Sequence, residues 1–235
     1  MQKKIESEKM GRSNLGWLNS WFHFSFAEYY NPSNMNYGVL RVLNDDLIEP
    51  GTGFDMHPHR DMEIITYVVD GELTHGDSMN NKRTLRRGEV QYMSAGSGVI
   101  HSEHNLGEEQ LRLLQIWIIP DRKNSPPQYG DYRFPWEERV GCWLHLVSGP
   151  DGNAPIRIRQ DIDLSVTLLP SGGELEYELA RGRQVYLVQI EGTSEVGDLR
   201  LHSRDAAELS GMDRISIQAE SDSHLLLFDM KASIE

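Results

Sequence analysis

Two short segments hold most of the side chains whose types and spacing could do chemistry. Residues 51–63 read Gly-Thr-Gly-Phe-Asp-Met-His-Pro-His-Arg-Asp-Met-Glu, and residues 94–103 read Ser-Ala-Gly-Ser-Gly-Val-Ile-His-Ser-Glu. In a β-strand, residues i and i+2 point to the same face. An extended His57-Pro58-His59 therefore turns two imidazoles to one side, and His101-Ser102-Glu103 turns an imidazole and a carboxylate to one side. Together the dyads offer three imidazoles and a carboxylate, a donor set that borderline divalent metals accept. The same parity carries Glu63 onto the His57 face if its strand is unbroken, whereas His104 points away from the site. Gly96 and Gly98 are turn glycines that also let backbone pass close to such a pocket.

Other candidates are weaker. His23, His75, His145, His202 and His224 read as surface or hydrogen-bonded residues, and Asp45-Asp46 and Glu108-Glu109 as solvated acidic pairs. There is no Gly-x-x-x-x-Gly-Lys-Ser/Thr phosphate loop, no His-Glu-x-x-His helix and no cysteine pair. Ser97, between two glycines, lacks the spacing of a nucleophile elbow. The single cysteine, Cys142, sits in the apolar run Val-Gly-Cys-Trp-Leu, where a buried inert thiol is expected. Alone it forms no internal disulfide, so nothing ties the chain to an oxidising compartment.

The elements that must position these residues read as strands. Runs rich in β-branched and aromatic residues fall at 37–43, 63–69, 90–93, 111–119, 166–169, 185–190, 215–217 and 225–228, punctuated by Asp70-Gly71, Arg87-Gly88, Gly149-Pro150, Gly172-Gly173 and Glu191-Gly192. Only 21–30 and 135–139 suggest a turn of helix. Many short strands at near-regular spacing predict an all-β sandwich or barrel. The order of strand, acid-Gly turn, charged turn and terminal strand recurs in each half, which points to a duplicated barrel. The Pro- and Gly-rich stretch 120–152 supplies the boundary, giving domains 1–135 and 136–235.

The 235 residues are 38% hydrophobic, enough for a proper core, and carry 36 Asp and Glu against 23 Lys and Arg, a net charge of −13. That surface repels phosphate backbones. The densest basic stretch, 82–87, reads as a solvated hairpin, so direct nucleic-acid binding is not expected. The polar N-terminal residues 1–13 lack a signal-peptide core, and the aliphatic stretch 113–119 is too short to cross a bilayer. A cytoplasmic protein without membrane contact is the expectation.

Gly51, His57, His59, Glu63 and Gly71, followed by Gly88, Gly96, His101 and Asn105, resemble the two motifs of the cupin superfamily. More narrowly, the two segments quoted above resemble the signature of the pirin family, as do Gly16-Trp-Leu-Asn-Ser20, Phe24-Ser-Phe-Ala27 and Tyr29-Tyr30 upstream. The resemblance implies a bicupin of two jelly-roll barrels, with one divalent metal in the N-terminal barrel on His57, His59, His101 and Glu103. The carboxylate then comes from the second motif and leaves Glu63 as a supporting or structural residue; the C-terminal half has no His-x-His for a second site. It also implies a quercetin 2,3-dioxygenase activity: a flavonol-like substrate binds, Glu103 accepts its 3-hydroxyl proton, O₂ adds, the ring opens and carbon monoxide leaves. Phe54, Met56, Met93 and Ile100 border the motifs as candidate pocket walls. Iron(II) is the first expectation for the metal; nickel, copper, manganese, cobalt and zinc suit the same donors. The alternative that the family supports is a non-catalytic, redox-sensing regulatory protein with a protein partner.

Overall fold

The computed structural model describes residues 1–232, and nearly all regular structure in it is β. By chain contacts the described residues divide into two compact units: one of residues 11–134 with 158–160, the other of residues 1–10, 135–157 and those from 161 on. Among the described residues no helix is long and apolar enough to cross a membrane.

The first unit is built of two sheets. A seven-stranded sheet runs in the order Gln128–Tyr132, Val90–Ser94, Glu63–Asp70, Leu111–Ile118, Leu40–Ile48, Leu18–Phe22, Gly11–Asn14. A four-stranded sheet runs Thr52–His59, Val99–Asn105, Glu72–Asp77, Lys82–Arg86. All these pairings are antiparallel. Alternation then sends every second side chain inward, and the core cluster draws Leu18, Ile48, Val68, Leu111 and Leu113 from one sheet and Leu73 and Leu85 from the other. Each such buried Leu or Val contributes about 1.5–3 kcal/mol.

The second unit repeats the plan. Its seven-stranded sheet runs Gln2–Ile5, Ala206–Ser210, Arg183–Glu191, Ser223–Lys231, Ile162–Leu169, Leu144–Ser148, Ile156–Arg157, and its four-stranded sheet runs Glu174–Glu178, Arg214–Ala219, Thr193–Val196, Leu199–His202. Val185, Leu187, Leu225 and Leu227 meet Val196, Leu201, Ile215 and Ile217 in its core.

Several expectations need correction. Segment 21–30 is not helical: Trp21 and Phe22 end a strand, and the Ser25 hydroxyl and Asn34 backbone then tie the loop together. Those local partners replace the bonds a helix would make. At 135–139 there is one 3₁₀ turn, Trp136–Arg139. The chain does not divide cleanly at 135/136, because Gln2–Ile5 pairs with Ala206–Ser210 and residues 158–160 join the N-terminal unit. Asp45 and Asp46 are buried within Leu40–Ile48 rather than solvated, since their strand is the inner neighbour of Leu111–Ile118. Cys142 is exposed, donating its thiol to the Glu138 carbonyl just after the 3₁₀ turn.

Candidate metal centre

The two motif segments become neighbours in one sheet. Thr52–His59 pairs antiparallel with Val99–Asn105, placing His57 opposite His101 and His59 opposite Val99. Between His101 and Glu103 the register slips, so that Glu103 faces Phe54 and the His57 strand carries one extra residue. A bulge of this kind re-aims side chains and is common beside active sites. The three imidazoles form a near-equilateral cluster, with ring centroids 4.5 Å apart for His57–His101 and 4.8 Å for each of the other two pairs. Their ligand atoms all lie within 4.8 Å of one another. Glu103 enters through a second group, in which its carboxylate lies within the same distance of His101 and His75. His101 is common to both.

Close pairing of these strands depends on Gly53. A Cβ there would lie 2.3 Å from the Glu103 carbonyl and 2.5 Å from the His104 Cα. Gly96, at φ +44°, lets the following turn approach the Ser125 carbonyl, which a Cβ would meet at 2.0 Å.

The electrostatics suit neutral imidazoles. Burial, reinforced by the adjoining rings, pulls His59 down to about 4 and His101 down to about 3. His57 Nδ1 donates to the Asp55 carbonyl at 2.8 Å, which leaves Nε2 with a free lone pair. Both ring nitrogens of His101 are buried with no protein hydrogen-bond partner. Buried polar atoms are normally satisfied. An imidazole with neither nitrogen partnered, held neutral beside two more, fits a divalent metal ion as the missing partner.

Glu103 is held from the opposite sheet. Its Oε1 accepts from Gln91 Nε2 at 2.6 Å and from the Thr66 hydroxyl at 3.0 Å, and its Oε2 accepts from Gln115 Nε2 at 2.6 Å. Gln91, Thr66 and Gln115 lie side by side on three adjacent strands. Asp46, further along that sheet, is pushed up to about 7 by burial, with the Asp45 and Glu103 charges adding to the effect and a Ser20 hydrogen bond opposing it. A carboxyl that holds its proton more tightly in the fold than in the unfolded chain stabilises fully below about pH 4, and that contribution disappears as pH rises through about 7. In metal-free protein Asp46→Asn should therefore remove about 2–3 kcal/mol of the stability otherwise lost between pH 5 and pH 8. Chemical denaturation of both proteins at the two pH values measures this, and equal losses would refute it. His23 acts in the other direction: burial lowers it to about 4, so its contribution declines as pH falls from about 6.5 towards 4.

Aromatic rings wall the cluster. Trp117 stands edge-on to His59 at 4.8 Å, and Phe54 lies 6.2 Å from His57 and packs on Trp17. His75 is fully buried, stacks on Tyr129 at 4.6 Å and bonds Asp77 through Nε2, while its Nδ1 has no protein partner. His75 is thus hydrogen-bonded, as expected, but it also belongs to the cluster. His145 and His224 bond Asp163 and Glu191, and His104 turns away towards Asp55.

Of the pocket residues read from sequence, Phe54 borders the cluster and Met93 is core, packed with Ile64 and Val99. Met56 and Ile100 are exposed (56% and 45%), because each alternates with a cluster histidine and so lies on the other face. Glu63 is not on the His57 strand: the chain breaks at residues 60–62 and Glu63 opens a strand of the opposite sheet. Its carboxylate accepts the backbone N–H groups of Arg159 and Gln160, a structural clasp. Sequence reasoning missed His75, Thr66, Gln91, Gln115, Trp117 and Tyr129. Three of them carried a usable signal, a lone polar residue inside an apolar strand, as in Leu-Leu-Gln115-Ile and Ile-Ile-Thr66-Tyr.

Two units of paired β-sheets, one with a His/Glu cluster between sheets, define a cupin-type metalloprotein with two barrels. Comparison with known proteins narrows the class. Residues 4–118 match the Pirin family model, and residues 137–230 match the quercetinase C-terminal cupin domain. The chain is 46% identical to a pirin-like protein of Caulobacter vibrioides (94% of this chain, 96% of that one) and 40% identical to the Escherichia coli protein named quercetin 2,3-dioxygenase (96% of each). The crystal structure of the Escherichia coli bacterial pirin YhhW in complex with nickel(II) superposes with a TM-score of 0.92 at 38% identity, covering 99% of this chain and 100% of that one. The chain belongs to the pirin family.

Proposed function

We propose that the chain is a dioxygenase that opens flavonol-like aromatic compounds with O₂, using one divalent metal held by His57, His59, His101 and Glu103. The observation that carries the reading is the buried His101, unpartnered at both nitrogens, at the centre of the His/Glu cluster. A metal there supplies Lewis acidity, acidifying a bound hydroxyl and activating it towards O₂. The protein's part is positioning and proton transfer. A carboxylate offers about four lone-pair sites; Gln91, Thr66 and Gln115 fill three, so Glu103 is fixed in place with one site left for the metal or the substrate hydroxyl proton. Trp117 and Phe54, packed beside His59 and His57, give the cluster an aromatic border suited to an aromatic substrate. Support comes from relatives named for this activity and from the nickel complex of a pirin.

The test is quercetin turnover in air and under anaerobic conditions by protein loaded separately with iron(II), nickel, cobalt, manganese, copper or zinc. O₂-dependent loss of quercetin with release of carbon monoxide is expected for at least one metal. No turnover with any of them rejects the reading, and tight metal binding without turnover turns attention to a regulatory role with a protein partner. The anchors give a further prediction: Gln91→Met and Gln115→Met should each weaken metal binding about 10–100-fold by freeing Glu103 to rotate. Unchanged affinity by competition with a chelating dye would show that Glu103 needs no such anchoring.

A further inference from the structure

A cavity borders Trp117. It measures about 370 Å³, within the range of small-molecule sites, and Phe26, Tyr29, Tyr30, Met35, Arg41 and Trp117 line it. Its wall is preset. The Phe26 and Tyr29 backbones bond one another reciprocally around Ala27, which sits at φ +48°, a left-handed conformation that a residue with a side chain seldom adopts. The Ser25 hydroxyl fastens the other end of the same loop to Asn31 and Asn34. Tyr30 is left 73% exposed beside the cavity.

Arg41 supplies the charge. Its Nη1 donates to the carbonyls of Ser25 and Met35, which fixes the guanidinium, and among the described residues no carboxylate pairs with it. That is notable in a chain with 36 acidic groups against 23 basic ones. A guanidinium held by carbonyls, with its remaining N–H donors unused, is preorganised for a planar anion such as a carboxylate. The Trp117 indole N–H is also buried without a protein acceptor. We propose that this cavity is a binding site for a flat aromatic acid, its ring among Phe26, Tyr29 and Tyr30 and its carboxylate on Arg41. The site is separate from the histidine cluster but shares a wall with it: Trp117 is edge-on to Phe26 at 5.4 Å and to His59 at 4.8 Å. Trp117 thus borders both the cavity and the cluster.

Calorimetric titration of the full chain with benzoate, with benzyl alcohol as the uncharged control, tests the site whether or not the protein turns over quercetin. Saturable one-to-one binding of benzoate is expected, at least tenfold tighter than benzyl alcohol. Arg41→Met should weaken it at least tenfold and Tyr30→Ala severalfold, while His101→Ala leaves it unchanged. Absence of saturation at roughly tens of millimolar, equal affinity for the two probes, or indifference to both cavity variants overturns the proposal. Loss of binding in His101→Ala overturns it too, since the acid then sits on the histidine cluster. If Arg41→Met does not fold, Tyr30→Ala, at an exposed side chain, and the ratio between the two probes decide.

Discussion

His101→Ala is expected to weaken divalent-metal binding about a thousandfold or more, beyond what loss of a supporting contact does, and to abolish metal-dependent turnover while the chain still folds. His101 belongs to both three-donor groups, so its removal breaks each of them at once. What remains is His57 with His59 on one side and His75 with Glu103 on the other, neither of which has the third donor. The fold should tolerate the change. The ring is buried, yet neither nitrogen has a protein partner, so in metal-free protein the substitution removes two unsatisfied polar atoms along with some packing. A loss of at most about 2 kcal/mol is expected. Metal content after gel filtration, read beside thermal melting, makes the measurement. One bound metal per chain in the variant would remove His101 from the site.

Gly53→Ala is the second large effect, and it acts through backbone. Gly53 lies opposite His104 in the pairing of Thr52–His59 with Val99–Asn105. The new methyl would collide with the Glu103 carbonyl oxygen and the His104 Cα, neither of which can swing aside as a side-chain tip would. The strands must part, at about 3 kcal/mol or more, the upper end of overpacking effects. Parting them also carries His57 and His59 away from His101 and Glu103, so metal affinity should fall together with stability. Gly130→Ala is the control: a Cβ there has nothing within 4 Å, and its effect should stay within about 0.5 kcal/mol. Gly53→Ala matching the control in melting temperature and metal affinity would show that the strands do not need this close approach.

The parts of the site legible in sequence were those governed by local periodicity. His57, His59 and His101 converge because alternation puts them on one face, and a resemblance to the pirin motifs points to the same residues. The all-β fold was legible for the same reason, in short runs such as 63–69 and 185–190. What stayed hidden depends on contacts between strands distant in the chain. Gln91 and Gln115 look like interruptions of apolar strands until the opposite sheet brings Glu103 between them. His75 lies on neither motif, and only the pairing of Glu72–Asp77 with Val99–Asn105 sets it beside His101. Met56 and Ile100 adjoin the histidines in sequence, yet alternation turns each of them to the opposite, exposed face of its strand.

The short strand Gln2–Ile5 bears on how the molecule is made. Its partner strand contains Glu208, 205 positions beyond Lys3. Synthesis proceeds from the N-terminus and domains tend to fold as they emerge. The unit of residues 11–134 and 158–160, with its histidine cluster, can fold while this ribbon is still single, and the ribbon can dock only once residues 206–210 have been made. Tags or truncations ahead of residue 11 therefore burden the C-terminal half, leaving the edge of Ala206–Ser210 bare, a place where further chains can add.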